Sequence, residues 1–418
     1  MRKIYIGFVL LLTIALSANA QQAILDKEPA NNAAELNANA AATAQLGEAG
    51  IVNMLTMLQP TGQADNTKIF DAISGFSFYT TQPGKEAWRS MAVRAYSKAL
   101  AKVTDKENQA FIISQLQIAG KDDAVATLKK YLDNERRCDP SARALVKINT
   151  FASKAALLAA LKGSKGNCTI TLVEAIGDSR NPLAVKSVSA LIGKDKKLDK
   201  VALYAVANIA NPISINLLAN AAEKSGFTYD ETNATYAYLL FIRNLGKKNV
   251  VTATKLAKTL ATKAGLANQE QTHTAALKIL VDMQGAKSTP TLLEAARYNN
   301  QKYRDAALKF AGPYINPTTT ALWVKEMTSA RSEEKAAIIR MLGDRRAASA
   351  LPAILKELKE GDTEVKVAAI TASGKIGQDK VLPDLLETMS TGNPAEITAG
   401  QNALMVMKGS TVTAKVAD

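Results

Sequence analysis

The chain has 418 residues, is rich in apolar but poor in aromatic side chains, and carries 52 Lys and Arg against 38 Asp and Glu for a formal charge of +14. Sparse Pro and Gly exclude a disordered chain, and Ala and Leu as the main apolar residues argue against a mostly β protein. One histidine, two cysteines and no clustered acidic motif leave no constellation for a catalytic or metal site, so neither enzyme activity nor a cofactor is expected.

Met1-Arg2-Lys3 is a short basic start, Ile4 to Leu16 an almost unbroken apolar run, and Ser17-Ala18-Asn19-Ala20 a small-x-small cleavage pattern. Together they predict a signal peptide over 1–20, cleaved after Ala20. The apolar run is shorter than the about 20 residues of a spanning helix, and the polar Gln21-Gln22 follows, so no transmembrane anchor is expected. A lipoprotein needs a cysteine at the cleavage site, whereas the first cysteine is Cys138. The sequence therefore predicts a periplasmic or secreted protein, of charge +12 once Arg2 and Lys3 are gone.

Residues 21–46 form an Ala/Asn-rich segment that reads equally as a frayed helix or a tether. Over 47–107, apolar helical stretches broken at Gln59-Pro60-Thr61-Gly62 and Gln82-Pro83-Gly84 read as irregular capping repeats. The aromatic group Phe76, Phe78, Tyr79 and Trp88 there reads as cap packing ahead of a sugar-stacking platform. From 108 to 409 a landmark recurs in which an apolar helical stretch ends in glycine or a substitute: Gly120, Asn149, Gly177, Ala210, Gly246, Gly285, Gly312, Gly343, Gly377 and Gly409, spaced 27 to 39 residues apart. Glycine and asparagine suit a left-handed residue closing a helix, and only Ala210 departs from that chemistry. Pro182, Pro212, Pro290 and Pro317 then fit the first turn of a second helix. Second helices carry an apolar stripe, as in Leu351, Ile354, Leu355 and Leu358, that a single pair of helices cannot bury. Residues 410–418 are too few for another helix, so the array is expected to end on an open face or to belong to a longer protein.

The stretch from Asp362 to Gly377, followed by a second helix from Asp379 to Met389, resembles the HEAT-repeat family, closest to the short HEAT-like repeats of phycobilisome-lyase relatives. Glu334 to Leu358 and Leu172 to Ile192 resemble the unit less closely. The resemblance implies an all-α fold, an α–α superhelix or HEAT/armadillo-like solenoid of about nine to eleven helical pairs. Lys366 stands where the family pattern has Arg, which implies a weaker ladder of ion pairs between repeats.

Such a scaffold is expected to bind on the inner surface lined by its second helices. The candidate contacts are Lys154, Lys186, Asn216, Asn220, Lys255, Lys258 and Lys325, which make a weakly basic face for a protein or an acidic glycan of the cell envelope. Nucleic acid is not expected, because the lysines are interspersed with acids and few aromatics accompany them. The function expected is thus an exported scaffold or binding protein; the alternative is a non-catalytic repeat module of an exported sugar-cleaving enzyme system. His273 reads as a surface residue near a helix start, and Asp122-Asp123 and Glu333-Glu334 as acids favoured by the helix dipole. Cys138 and Cys168 precede first helices of consecutive repeats. A bridge between them requires their loops to converge, because stacked helices lie about 10 Å apart and a disulfide tolerates roughly 7 Å between Cα atoms. Bridge and free thiols both stand open at this point, as does the oligomeric state.

Overall fold

The computed structural model describes residues 19–407, Asn134 excepted, and all regular structure among them is helical. The leader at 1–20 lies outside the described residues save for Asn19 and Ala20, as do Gly409 and the 410–418 tail. The chain forms two compact units: residues up to Ala219 with Tyr229–Phe241, and Asn220–Thr228 with the chain from Ile242 onward.

The first unit opens with a helix through 19–25 (α1), followed by α2 (Ala33–Gln45), α3 (Gly47–Thr56), α4 (Thr67–Tyr79) and α5 (Glu86–Leu100). The Ala/Asn-rich segment is neither frayed nor a tether. Ile24, Leu25, Ala40 and Ala44 are buried, Gln21 Nε2 donates to the Gly50 carbonyl at 2.7 Å, and Asn39 Nδ2 donates to the Lys27 carbonyl at 3.1 Å. The alanines keep α2 slim enough to lie against α4, while α3 packs on α5. Then follow α6 (Lys106–Ala119), α7 (Asp122–Leu128), α8 (Glu135–Ile148), α9 (Phe151–Leu161), α10 (Gly166–Asp178), α11 (Val185–Ser189) and α12 (Lys196–Ile209). The first helices α6, α8, α10 and α12 stack in succession, and the second helices α7 and α9 adjoin beside them. The division between the units falls within α13 (Ile215–Lys224) and α14 (Ala234–Gly246).

The second unit continues with α15 (Val250–Leu266), α16 (Glu270–Gln284), α17 (Thr289–Ala296), α18 (Gln301–Ala311), α19 (Pro317–Ser329) and α20 (Ser332–Asp344). It ends with α21 (Leu351–Glu360), α22 (Thr363–Gly377), α23 (Leu382–Thr391) and α24 (Pro394–Val406). First helices α16, α18, α20, α22 and α24 stack, with the second helices α17, α19, α21 and α23 packed beside them. One continuous core runs through them, including Leu292, Trp323, Ile339, Ile354, Ile370 and Leu385. Each unit is thus an α–α solenoid, in which a pair of helices buries its stripe only against the pairs beside it.

The described landmarks sit at the ends of the first helices, but left-handedness is not what most of them supply. Positive φ occurs at Asn149 (53°), Ala210 (51°) and Gly285 (56°), so Ala210 takes the conformation in spite of its Cβ. Gly177 and Gly343 lie inside α10 and α20, which continue to Asp178 and Asp344, and the left-handed residue comes later, at Arg180 and Arg346. These two glycines allow close stacking. A Cβ on Gly177 would lie 2.6 Å from Ala205 Cα, and one on Gly343 2.7 Å from Ala372 Cα. The prolines at 182, 212, 290 and 317 occupy first turns, where no N–H is needed. The acid pairs lie in the first turns of α7 and α20, with Asp123 paired to Arg89 and Glu333 to Arg304. Asp362, the ladder position of the repeat unit, instead caps α22 by accepting from Val365 N at 3.0 Å. Lys366 has no ion pair among the described residues, whose pairs between repeats include Arg304–Glu333, Arg340–Glu364 and Lys375–Asp344.

Candidate binding face on the second helices

In the first unit, successive second helices open in the same way. Asn181 Oδ1 accepts from Leu183 N at 3.1 Å, Asn211 Oδ1 accepts from Ile213 N at 3.2 Å, and a proline fills the position between cap and donor. This geometry turns the next side chain outward: Leu183 is 66% exposed and Ile213 78%. At the start of α9, Thr150 and Ser153 form a capping box that leaves Phe151 78% exposed. Large apolar side chains are thus left in water at three successive repeats.

Between α9 and α11 this face is concave. A groove of about 980 Å³ is lined by Phe151, Lys154 and Leu158 from α9, by Lys162 at its C-terminal cap, and by Leu183 and Leu191 from the next repeat. Its apolar floor follows from the sequence of α9, FASKAALLAAL, which is apolar nearly all round. Leu157 and Leu161 turn into the core while Leu158 is left half-buried in the groove. Asn181 fixes the groove's width from one side, its Nδ2 donating to the Lys154 carbonyl at 3.2 Å.

Among the sequence-derived contacts in this unit, Lys154 lies on α9 in the groove wall, Lys186 is exposed on α11, and Asn216 is exposed on α13. In the second unit, Asn220 is exposed on α13, Lys255 and Lys258 on α15, and Lys325 on α19. Lys258 borders a smaller hollow of about 320 Å³ with Glu294, so that hollow is not purely basic. Helical periodicity alone does not separate these exposed apolar residues from those of the core stripe. The repeated Asn-Pro-Leu and Asn-Pro-Ile openings are the signal that finds them.

His273 is buried in the first turn of α16, which corrects the surface placement. Its ring stacks on Tyr303 at 3.7 Å between centroids and meets the edge of Tyr298 at 5.1 Å. Residues about thirty positions downstream thus cover a side chain that its own neighbourhood leaves open. Burial holds its pKa below the ordinary value. The unfolded chain therefore binds the proton first, and the stability held above about pH 6.5 declines as pH falls toward the lower folded-state value. Because the chain has no other histidine, His273→Phe is expected to flatten the dependence of Tm on pH between about 5 and 6.5, read by thermal melts across that range.

Cys138 and Cys168 form a disulfide with Cα atoms 5.9 Å apart. Both lie inside the first turns of α8 and α10, not in the loops before them. It is the helix starts that converge, helped by Asn167 Nδ2 donating to Glu135 Oε1 at 2.6 Å. In the aromatic group, Phe76 is core, and Tyr79 stacks on Trp88 at 5.4 Å. Lys85 Nζ stands over both rings, so the pair is already covered. Among the described residues no cluster of three or more His, Cys, Asp or Glu is placed to hold a metal, and no helix is long and apolar enough to cross a membrane.

No curated protein matches the chain. Among solved structures, the crystal structure of Kap121p is similar at 12% identity and a TM-score of 0.52, over 93% of this chain and 49% of that one. This chain therefore spans about half the length of that structure. Human deoxyhypusine hydroxylase in complex with glycerol is similar at 11% identity and a TM-score of 0.27, over 68% of this chain and 96% of that one. The first likeness speaks to fold alone. Residues 320–405, which include the repeat unit from Asp362 to Met389, match the family model of HEAT repeats.

Proposed function

We propose that the chain is an exported scaffold that holds a protein partner on the face formed by its second helices. The observation that carries the reading is the series Phe151, Leu183 and Ile213, large apolar side chains left exposed by capping geometry at successive repeats of the first unit. A solenoid gains nothing in its own stability from such residues in water, whereas a partner that covers them gains the burial. Export rests on the basic start, apolar run and Ala18-Asn19-Ala20 site of the leader.

Two measurements test the proposal. N-terminal sequencing of the protein recovered from the cell envelope is expected to begin at Gln21; an intact Met1 overturns export. A photo-crosslinking residue placed at Ser187, in the groove lining, is expected to capture a partner that the same residue at Glu174, exposed on the first helix α10, does not. Equal capture from both positions, or capture from Glu174 alone, places binding elsewhere and overturns the assignment of the face.

A further inference from the structure

The groove between α9 and α11 carries a charge pattern as well as a shape. From Pro140 to Val173 the chain has Arg143, Lys147, Lys154, Lys162 and Lys165 and no acid, and from Ser179 to Lys194 it has Arg180, Lys186 and Lys194 and again no acid. The ion pairs of this unit among the described residues involve Arg89, Arg94, Lys98, Arg136, Arg143 and Lys196. None involves Lys154, Lys162, Lys165, Lys186 or Lys194. Elsewhere the array sets cations and acids against one another across repeats, as at Arg89–Asp123. Here it leaves the cations unmatched around an apolar trough whose own lining contains Lys154 and Lys162 and no carboxylate.

We infer that this groove is the docking site for an acidic amphipathic segment of the partner protein, whose apolar side chains fill the trough between Phe151, Leu158 and Leu183 while its carboxylates meet Lys154, Lys162 and Lys186. The inference rests on the scaffold reading above and specifies the chemistry of what is held. A compact small molecule fits less well. Sites for such ligands enclose most of the ligand surface, whereas two walls of this trough are 78% and 66% exposed, at Phe151 and Leu183. A bilayer surface has no part narrow enough to enter a trough between two helices. An apolar helix face laid in a groove, with anchors at i, i+3, i+4 and i+7, matches both the shape and the apolar lining, and the unmatched cations select acids at its margins.

The test uses the purified chain and a fluorescent peptide of about fifteen residues with leucines at i, i+3, i+4 and i+7 and glutamates between them. Controls are the same composition scrambled, polyglutamate, and vesicles of phosphatidylglycerol. The amphipathic peptide is expected to bind about tenfold or more tightly than the scrambled one, because only the former presents a continuous apolar face. Affinity is expected to fall as salt is raised, since exposed charges are screened over about 8–10 Å. The double variant Phe151→Asp/Leu183→Asp, at two exposed positions, is expected to weaken binding about tenfold or more. Lys154→Glu/Lys162→Glu is expected to weaken it by a similar factor and to flatten the salt dependence; unchanged melting curves establish that both variants fold. Equal binding of the scrambled peptide or of polyglutamate reduces the site to general charge attraction and overturns the proposal. Affinity for the vesicles that the Phe151/Leu183 variant abolishes, with no peptide binding, makes the face a membrane surface and overturns it likewise. Failure of the peptide with crosslinking from Ser187 retained discards only the acidic amphipathic occupant; loss of both discards the scaffold reading.

Discussion

Removing the Cys138–Cys168 bridge is expected to lower the stability of the first unit by about 3–4 kcal/mol, the chain-entropy value for a loop of this length. The bridge closes 30 residues of sequence, a span that includes nearly all of α8, all of α9 and the start of α10. It therefore ties two successive first helices at their starts and holds between them the second helix that forms one wall of the groove. Both cysteines are buried, so reductant reaches the bond only when the helix starts open. Reduction is expected to be much slower in buffer than in denaturant. The measurement is urea unfolding of the oxidised chain, the reduced chain and the double variant Cys138→Ala/Cys168→Ala. Alanine avoids placing two unpaired hydroxyls in the same buried space. Coincident unfolding curves for the oxidised and reduced chains, or two thiols per chain titrating in the unreduced unfolded protein, contradict the expectation.

The repeat was readable in the sequence because its signals are local. A helix end, a proline in the next first turn and an apolar stripe each involve residues within a few positions of one another, and the structure sets Gly120, Ala210, Gly285 and Gly312 at first-helix ends. What the glycines do was less readable. Gly177 and Gly343 are small because Ala205 and Ala372 press on them from the next repeat, a demand that no local pattern records. The same limit explains His273, covered by Tyr298 and Tyr303, and α2, whose Ala40 and Ala44 are buried although the surrounding asparagines suggest solvent. In the candidate face, Lys154 and Lys186 are proposed from their place on second helices. Phe151, Leu183 and Ile213 were missed because an apolar residue beside a core stripe is assigned to the core unless its cap is considered. Asn181 and Asn211 each bond to the N–H two residues on, and that short bond decides which way the apolar residue points.

Trp323→Ala is expected to cost about 3–5 kcal/mol, the usual range for emptying a large buried aromatic site. Trp323 is among the largest fully buried side chains of the chain and sits in the core of the second unit with Leu292, Ile339 and Ile354. Its helix, α19, packs against α17, α20 and the one-turn helix Ala348–Ala350. In a compact globule such a loss is shared by the whole core. In a solenoid, each pair meets only its neighbours, so the cavity weakens two interfaces and leaves more distant ones as they were. Hydrogen exchange followed by mass spectrometry distinguishes the two cases. Peptides from α17 to α20 are expected to exchange on the order of a hundredfold or more faster in the variant, since each 1.4 kcal/mol of lost opening free energy is tenfold. Peptides from α23 and α24, beyond the nearest neighbours of α19, are expected to change far less. An equal acceleration from α16 through α24 would mean that the second unit opens as one body and that nearest-neighbour stacking does not describe its energetics.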